Sequence, residues 1–153
     1  MKRDGNCKSC WQEQPGYRPV NEYNPGTEYD VVIVGGGMTG ITTALLLQAS
    51  GKKCLVTEAH NIGFGTTGGT TAHLNTILDT PYYTIIKNFN EDKARLVYQG
   101  TLEAIEQVRK NIQRYNISCT FEEKTGYLFS PSKDLDKELQ KIVDSSQRVG
   151  VEI

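Results

Sequence analysis

Long hydrophobic runs are missing from this sequence. The longest are four residues each, Val31 to Val34 and Ala44 to Leu47, far short of the roughly 20 that cross a bilayer. No transmembrane helix is expected. An excess of either charge is missing too: 17 Lys and Arg stand against 18 Asp and Glu, a formal net charge of −1. That balance leaves no basic footprint for nucleic acid or an anionic membrane. Cysteine is sparse, at 4 in 153 residues, which excludes a disulfide scaffold and makes reduced thiols the default. Behind Met1, Lys2 and Arg3 come Asp4, Gly5, Asn6, Cys7 and Lys8, without the apolar stretch of a signal peptide. The chain therefore reads as cytoplasmic. Cys7-Lys8-Ser9-Cys10 has no second pair to complete the four ligands that zinc wants, so no metal site is expected. No Ser/His/Asp set, nucleophile elbow or internal repeat is present. His60 reads as an exposed or satisfied imidazole.

What is there begins with an arm. Residues 1–28 hold three of the five prolines (Pro15, Pro19, Pro25) and the only tryptophan, Trp11. They show no apolar periodicity and read as extended. Tyr29-Asp30-Val31-Val32-Ile33-Val34 is a β-branched run ending in Gly35-Gly36-Gly37, the pattern of a strand buried on both faces of a parallel sheet. Ile41, Ala44, Leu45 and Leu47 then recur at helical spacing up to Gly51, a glycine placed to end the helix. Cys54-Leu55-Val56-Thr57 reads as a second strand. Right-handed crossover makes the two strands parallel neighbours.

Asn61 to Thr76 is rich in Gly and Thr and carries no formal charge. Connections of that length inside a compact domain hold a ligand or are disordered. Ala94, Tyr98, Leu102, Ile105, Val108, Ile112 and Tyr115 predict a long amphipathic helix lying on a sheet. Cys119 to Glu123 and Tyr127 to Ser130 predict a strand pair around Lys124-Thr125-Gly126. Leu135, Leu139, Ile142, Ser146 and Val149 predict a final helix capped by Gly150, and Val151-Glu152-Ile153 the opening of another strand. Tyr82, Tyr83 and Tyr98 read as packing groups.

Gly35-Gly36-Gly37-Met38-Thr39-Gly40 fits G-x-G-x-x-G between a strand and a helix, where the mechanism needs it. Gly35 permits the tight turn, Gly37 lets backbone approach a pyrophosphate, and Gly40 lets helix and strand pack closely. Unsatisfied N–H groups and the dipole at the helix start attract the diphosphate. Glu58 ends the second strand 18 residues after Gly40, where a carboxylate can accept both hydroxyls of an adenosine ribose. It would repel a 2′-phosphate by about 1 to 4 kcal/mol in solvated surroundings, which disfavours NADP. Glycines alone do not decide between FAD and NAD. The Gly/Thr segment, with hydroxyls at Thr66, Thr67, Thr70 and Thr71, suits the second grip that a flavin nucleotide needs.

Tyr29 to Gly40, Glu58, and Gly65-Thr66-Thr67-Gly68-Gly69-Thr70-Thr71-Ala72-His73 together resemble the N-terminal part of the D-amino acid oxidase family of FAD-dependent oxidoreductases. Thr125-Gly126-Tyr127-Leu128-Phe129 and the helix ending at Gly150-Val151 are similar to it as well. The resemblance implies an α/β, Rossmann-like FAD-binding fold of glutathione-reductase type. Residues 29–153 would be its N-terminal portion, stopping before the sheet and the substrate domain are complete. It further implies oxidation of a small amine or amino acid at a C–N bond, by hydride transfer to flavin, with an electron acceptor the sequence does not identify. An NAD-binding module of a dehydrogenase and a non-catalytic nucleotide-binding fragment are the alternatives.

By position in the family pattern, Gly35, Gly37 and Gly40 shape the turn, and Met38 and Thr39 meet the pyrophosphate. Glu58 and Ala59 meet the adenosine, and Thr66 and Thr67 the phosphates and ribityl chain. Thr71, Ala72 and His73 lie near the flavin. Relatives often place Arg or a flavin-linking His where Gly69 stands, so the resemblance implies noncovalent FAD. Catalytic and substrate-binding residues would lie beyond residue 153, leaving these residues inactive alone. The Thr-Thr-Gly-x-Thr-Thr-Ala form and the arm with Trp11 are similar to a bacterial subgroup carrying a C-terminal Rieske [2Fe–2S] domain, none of which falls within the 153 residues.

Overall fold

The computed structural model describes residues 8–13 and 25–153, so most of the expected arm, Cys7 included, lies outside the described residues. The chain divides into two compact units, Met1–His73 and Leu74–Ile153.

In the first unit, β1 (Val31–Val34) pairs in parallel with β2 (Cys54–Thr57), with Val31 opposite Cys54 and Val34 opposite Thr57. The helix α1 (Met38–Ala49) makes the crossover between them, as the sequence predicts and as parallel neighbours require. β1 is not buried on both faces as expected: Val32 and Val34 are exposed, because α1 covers only one side of this two-stranded sheet. The register is pinned at its start, where the Asp30 N–H donates to the Lys53 carbonyl (2.9 Å) and the Lys53 N–H donates to Asp30 Oδ2 (2.8 Å). At the end of α1, Gly51 takes a φ of +85°. Its N–H donates to the Gln48 carbonyl (2.9 Å) and the Lys52 N–H to that of Leu47 (3.0 Å), the bond pair of a Schellman ending.

Asn61 to Thr70 is ordered by its own backbone. Phe64 donates to Asn61 (3.0 Å), Gly69 to Gly65 (3.1 Å) and Thr70 to Thr67 (3.4 Å). The arm differs from expectation where it is described. Cys10–Gln12 is a turn of 3-10 helix rather than extended chain. It closes because the Gln12 side chain accepts the Ser9 N–H at 3.1 Å, a local bond that leaves no apolar periodicity to read.

The second unit is helical: α2 (Tyr82–Asn88), α3 (Glu91–Arg114) and α4 (Asp136–Val149). Its core is Tyr82, Ala94, Val149 and Val151, with Ile85, Ile86, Val97 and Tyr98 packed against it. Tyr82 is a packing group, as expected: its ring meets Tyr98 edge-on and its hydroxyl donates to the Thr76 carbonyl at 2.6 Å. Burial pushes that phenol's pKa up. The Tyr83 hydroxyl donates to Glu138, tying α2 to α4. Asn90 caps α3 by accepting the Lys93 N–H at 2.8 Å.

Three expectations for this unit fail. The long helix α3 forms, but within its unit it lays its apolar stripe on α2 and α4 rather than on a sheet. Among the described residues, neither Cys119 to Glu123 nor Tyr127 to Ser130 forms a strand, and Tyr127 and Phe129 are 85% and 75% exposed. An alternating pattern specifies a face but not a partner, and an isolated hairpin is marginal in water. Val151 to Ile153 forms no strand either. Gly150, at a φ of +102°, turns the chain so that Val151 enters the helical core instead. Among the described residues, no helix is long and apolar enough to cross a membrane, and no cluster of three metal-ligating side chains occurs.

Candidate functional site at the glycine turn

The site is built at the C-terminal end of β1. Gly35 extends the ladder by donating to the Thr57 carbonyl at 2.8 Å, then turns the chain with a φ of +106°, a conformation that strains any L side chain. Gly40 explains how α1 approaches β1. A Cβ there would lie 2.0 Å from the Gly35 carbonyl oxygen and 3.4 Å from Ile33 Cγ2, and the nearer obstacle is backbone. Gly37 precedes the first helical residue, and a Cβ on it would lie 3.0 Å from Thr67 Oγ1.

The first amide of this turn of α1 to reach a carbonyl one turn back is Ile41, which donates to Gly37 at 3.0 Å. The amides of Met38, Thr39 and Gly40 have no such partner, as at any helix start. Met38 donates its N–H to Thr67 Oγ1 at 3.0 Å. That leaves Thr39 and Gly40 at the positive end of the helix dipole, an arrangement suited to an anion.

Glu58, directly after β2, reaches back to the same turn. Its Oε2 accepts the Gly36 N–H at 2.7 Å and its Oε1 the His60 N–H at 2.9 Å. Both bonds favour the charged form, Gly36 most, and hold the carboxyl below the usual carboxylate range. The sequence reading treats this carboxylate as open for a ribose. The structure has it already fastening two amides, with lone pairs left on each oxygen for a hydroxyl donor.

Gly36 is the residue that sequence reasoning missed. It is buried, its N–H goes to Glu58, and its carbonyl accepts the Gly63 N–H at 2.9 Å. A Cβ there would lie 2.5 Å from Ile62 Cδ1. The signal was the middle glycine of Gly35-Gly36-Gly37, which the spacing of the motif treats as free. The structure thus brings Gly35, Gly37, Met38, Gly40, Glu58 and Thr67 together. Thr39 is beside them on the first turn of α1. Ala59, Thr66, Thr71, Ala72 and His73 are exposed, and among the described residues none hydrogen-bonds to the glycine turn. Ala72 takes a φ of +59°, with its N–H donated to Thr70 Oγ1 at 3.1 Å.

Residues 30–153 match the DAO family, described as FAD dependent oxidoreductase. The chain belongs to this family. Its members are enzymes that depend on FAD, which settles the choice of dinucleotide that the glycines left open. Among curated relatives, YhfW of Bacillus subtilis (strain 168), named for a Rieske 2Fe-2S iron-sulfur protein, is 32% identical over 126 residues, 82% of this chain and 25% of its own. Gamma-glutamylputrescine oxidoreductase of Escherichia coli (strain K12) is 35% identical over 118 residues, 77% of this chain and 27% of its own. OrdL of Haemophilus influenzae, named as an oxidoreductase, is 34% identical over 98 residues, 64% of this chain and 22% of its own. The chain thus spans about a quarter of the length of the curated relatives it matches. No solved structure matches it.

Proposed function

We propose that this chain holds FAD noncovalently at the glycine turn and that the protein oxidises a small amine or amino acid at a C–N bond. The observation that carries this reading is the convergence of three unlike groups on one turn: open amides of α1, the Glu58 carboxylate and the Thr67 hydroxyl. The residues fit the cofactor. Amides of Thr39 and Gly40 suit a diphosphate. The remaining lone pairs of Glu58 suit ribose hydroxyls, and its charge rejects a 2′-phosphate. Thr67 accepts the Met38 N–H through its oxygen, so its own hydroxyl proton is left to donate to a phosphate oxygen. Thr66, Thr71, Ala72 and His73 continue the same segment and are assigned to the ribityl and flavin end, as the family pattern implies.

Bound FAD would supply a two-electron acceptor for a C–H next to nitrogen, and the chain's part is to bind and orient it. The family, together with a relative named for acting on gamma-glutamylputrescine, supports an amine substrate. The relative named for a Rieske protein supports a [2Fe–2S] centre elsewhere in the whole protein. Residues 29–153 then form the N-terminal portion of a glutathione-reductase-type FAD domain.

Purified protein should be yellow with a flavin spectrum, and heat denaturation should release FAD into the supernatant. Flavin remaining on the precipitate would refute noncovalent attachment. Colourless protein that releases NAD would refute the flavin reading.

A further inference from the structure

The described part of the arm does not run free. The Ser9 hydroxyl donates to the Gly68 carbonyl, and the Trp11 indole N–H donates to the Thr70 carbonyl at 2.9 Å. Both bonds cross 59 residues of sequence. The Gln12 side chain fills the space beside Gly68, where a Cβ would lie 3.2 Å from Gln12 Cγ and 2.9 Å from the Gly63 carbonyl. The turn that presents these groups is locked by its own bonds, Ser9 N–H to Gln12 Oε1 at 3.1 Å and Gln12 N–H to the Ser9 carbonyl at 3.0 Å. Gly68 is buried, whereas Trp11 is half exposed. The arm grips two carbonyls of the segment carrying Thr67, whose hydroxyl sits on the Met38 amide at the mouth of α1.

We infer that Ser9 and Trp11 are positioning residues for the cofactor: by fixing the carbonyls of Gly68 and Thr70 they hold Thr67 over the start of α1 and set how tightly the diphosphate and ribityl end of FAD is retained. The inference rests on the FAD reading above. It assigns a role in that site to a segment outside the glycine motif and outside residues 30–153 that match the family.

The test compares the parent protein with Ser9→Ala, Trp11→Phe and the double variant. Trp11→Phe keeps an aromatic ring and deletes the N–H donor. FAD dissociation constants are measured by flavin fluorescence, adenosine 5′-monophosphate binding by calorimetry, and the thermal midpoint without ligand. Each single substitution should weaken FAD binding about fivefold, as a hydrogen bond of ordinary net strength implies, and the double variant more. Affinity for adenosine monophosphate, which by the same reading engages the Glu58 end, should stay unchanged. Equal FAD affinity in parent and double variant would overturn the inference alone. So would a parallel loss of both affinities together with a lowered thermal midpoint, the mark of general destabilisation. A parent protein that takes up no FAD would overturn the cofactor reading and this inference with it.

Discussion

Glu58 fastens two amides with one charge. Its carboxylate holds the N–H groups of Gly36 and His60, so the turn is organised by the same residue that we propose reads the ribose. The pH consequence follows from the direction of its shift. A carboxyl held below its ordinary pKa by the Gly36 N–H contributes stability that is complete above the ordinary carboxylate value. That contribution is lost as pH falls through the lowered folded value. Glu58→Gln should therefore lower the urea midpoint of the first unit at neutral pH and leave it little changed below the carboxylate range. Parallel curves for the two proteins across that range would contradict the role. Gly40 offers a steric counterpart. With the Gly35 carbonyl 2.0 Å from the missing Cβ, Gly40→Ala must push α1 off β1. Thermal melting should show a loss of about 1 to 3 kcal/mol, and flavin should no longer be retained; a fully stable, flavin-retaining variant would refute this packing.

At the scale of elements, the sequence was most legible where a periodic run met a specific stop. The β-branched run of β1, the apolar spacing of α1 and α4, and the glycines after those helices all act locally, and the helices end where Gly51 and Gly150 allow a left-handed residue. α3 ends the same way on Asn116, with a φ of +48° and the Ile117 N–H donating to the Ile112 carbonyl at 3.0 Å. Asparagine there carries a weaker signal than glycine, and the helical pattern was read to Tyr115 without it. Gly150→Ala would keep the space, since the nearest Tyr98 carbon is 3.6 Å from the added Cβ. It would force alanine into the left-handed region, at about 1 to 2 kcal/mol. A urea midpoint lowered by that amount is expected, and an unchanged midpoint would show that this helix end is not constraining. Less legible were α2, whose seven residues are too few for a period, and the segment from Cys119 to Ser130. There the alternation was real but a ladder partner cannot be inferred from one strand's own residues.

At the scale of the whole molecule, the outline of the candidate site was legible in the sequence, and the bonds its groups already make were not. G-x-G-x-x-G and Glu58 placed the turn, because each glycine answers a local steric demand. Which N–H groups are already engaged was not legible, since the Gly36–Glu58, Met38–Thr67 and Trp11–Thr70 bonds join residues 22, 29 and 59 positions apart. Such pairings depend on how the segments fold over one another. Of the residues expected at the phosphates and ribityl chain, Thr67 touches the glycine turn and Thr66 is exposed, while Thr71, Ala72 and His73, expected near the flavin, are exposed as well.

The most direct test is a titration of isotope-labelled protein with FAD, followed by the backbone amide resonances of Gly37, Thr39 and Gly40. The account predicts that the Thr39 and Gly40 amides shift strongly on binding, as donors to the diphosphate, while those of α3 move little. Bound flavin with the Thr39 and Gly40 resonances unmoved would contradict it, because the cofactor would then be held somewhere other than the mouth of α1.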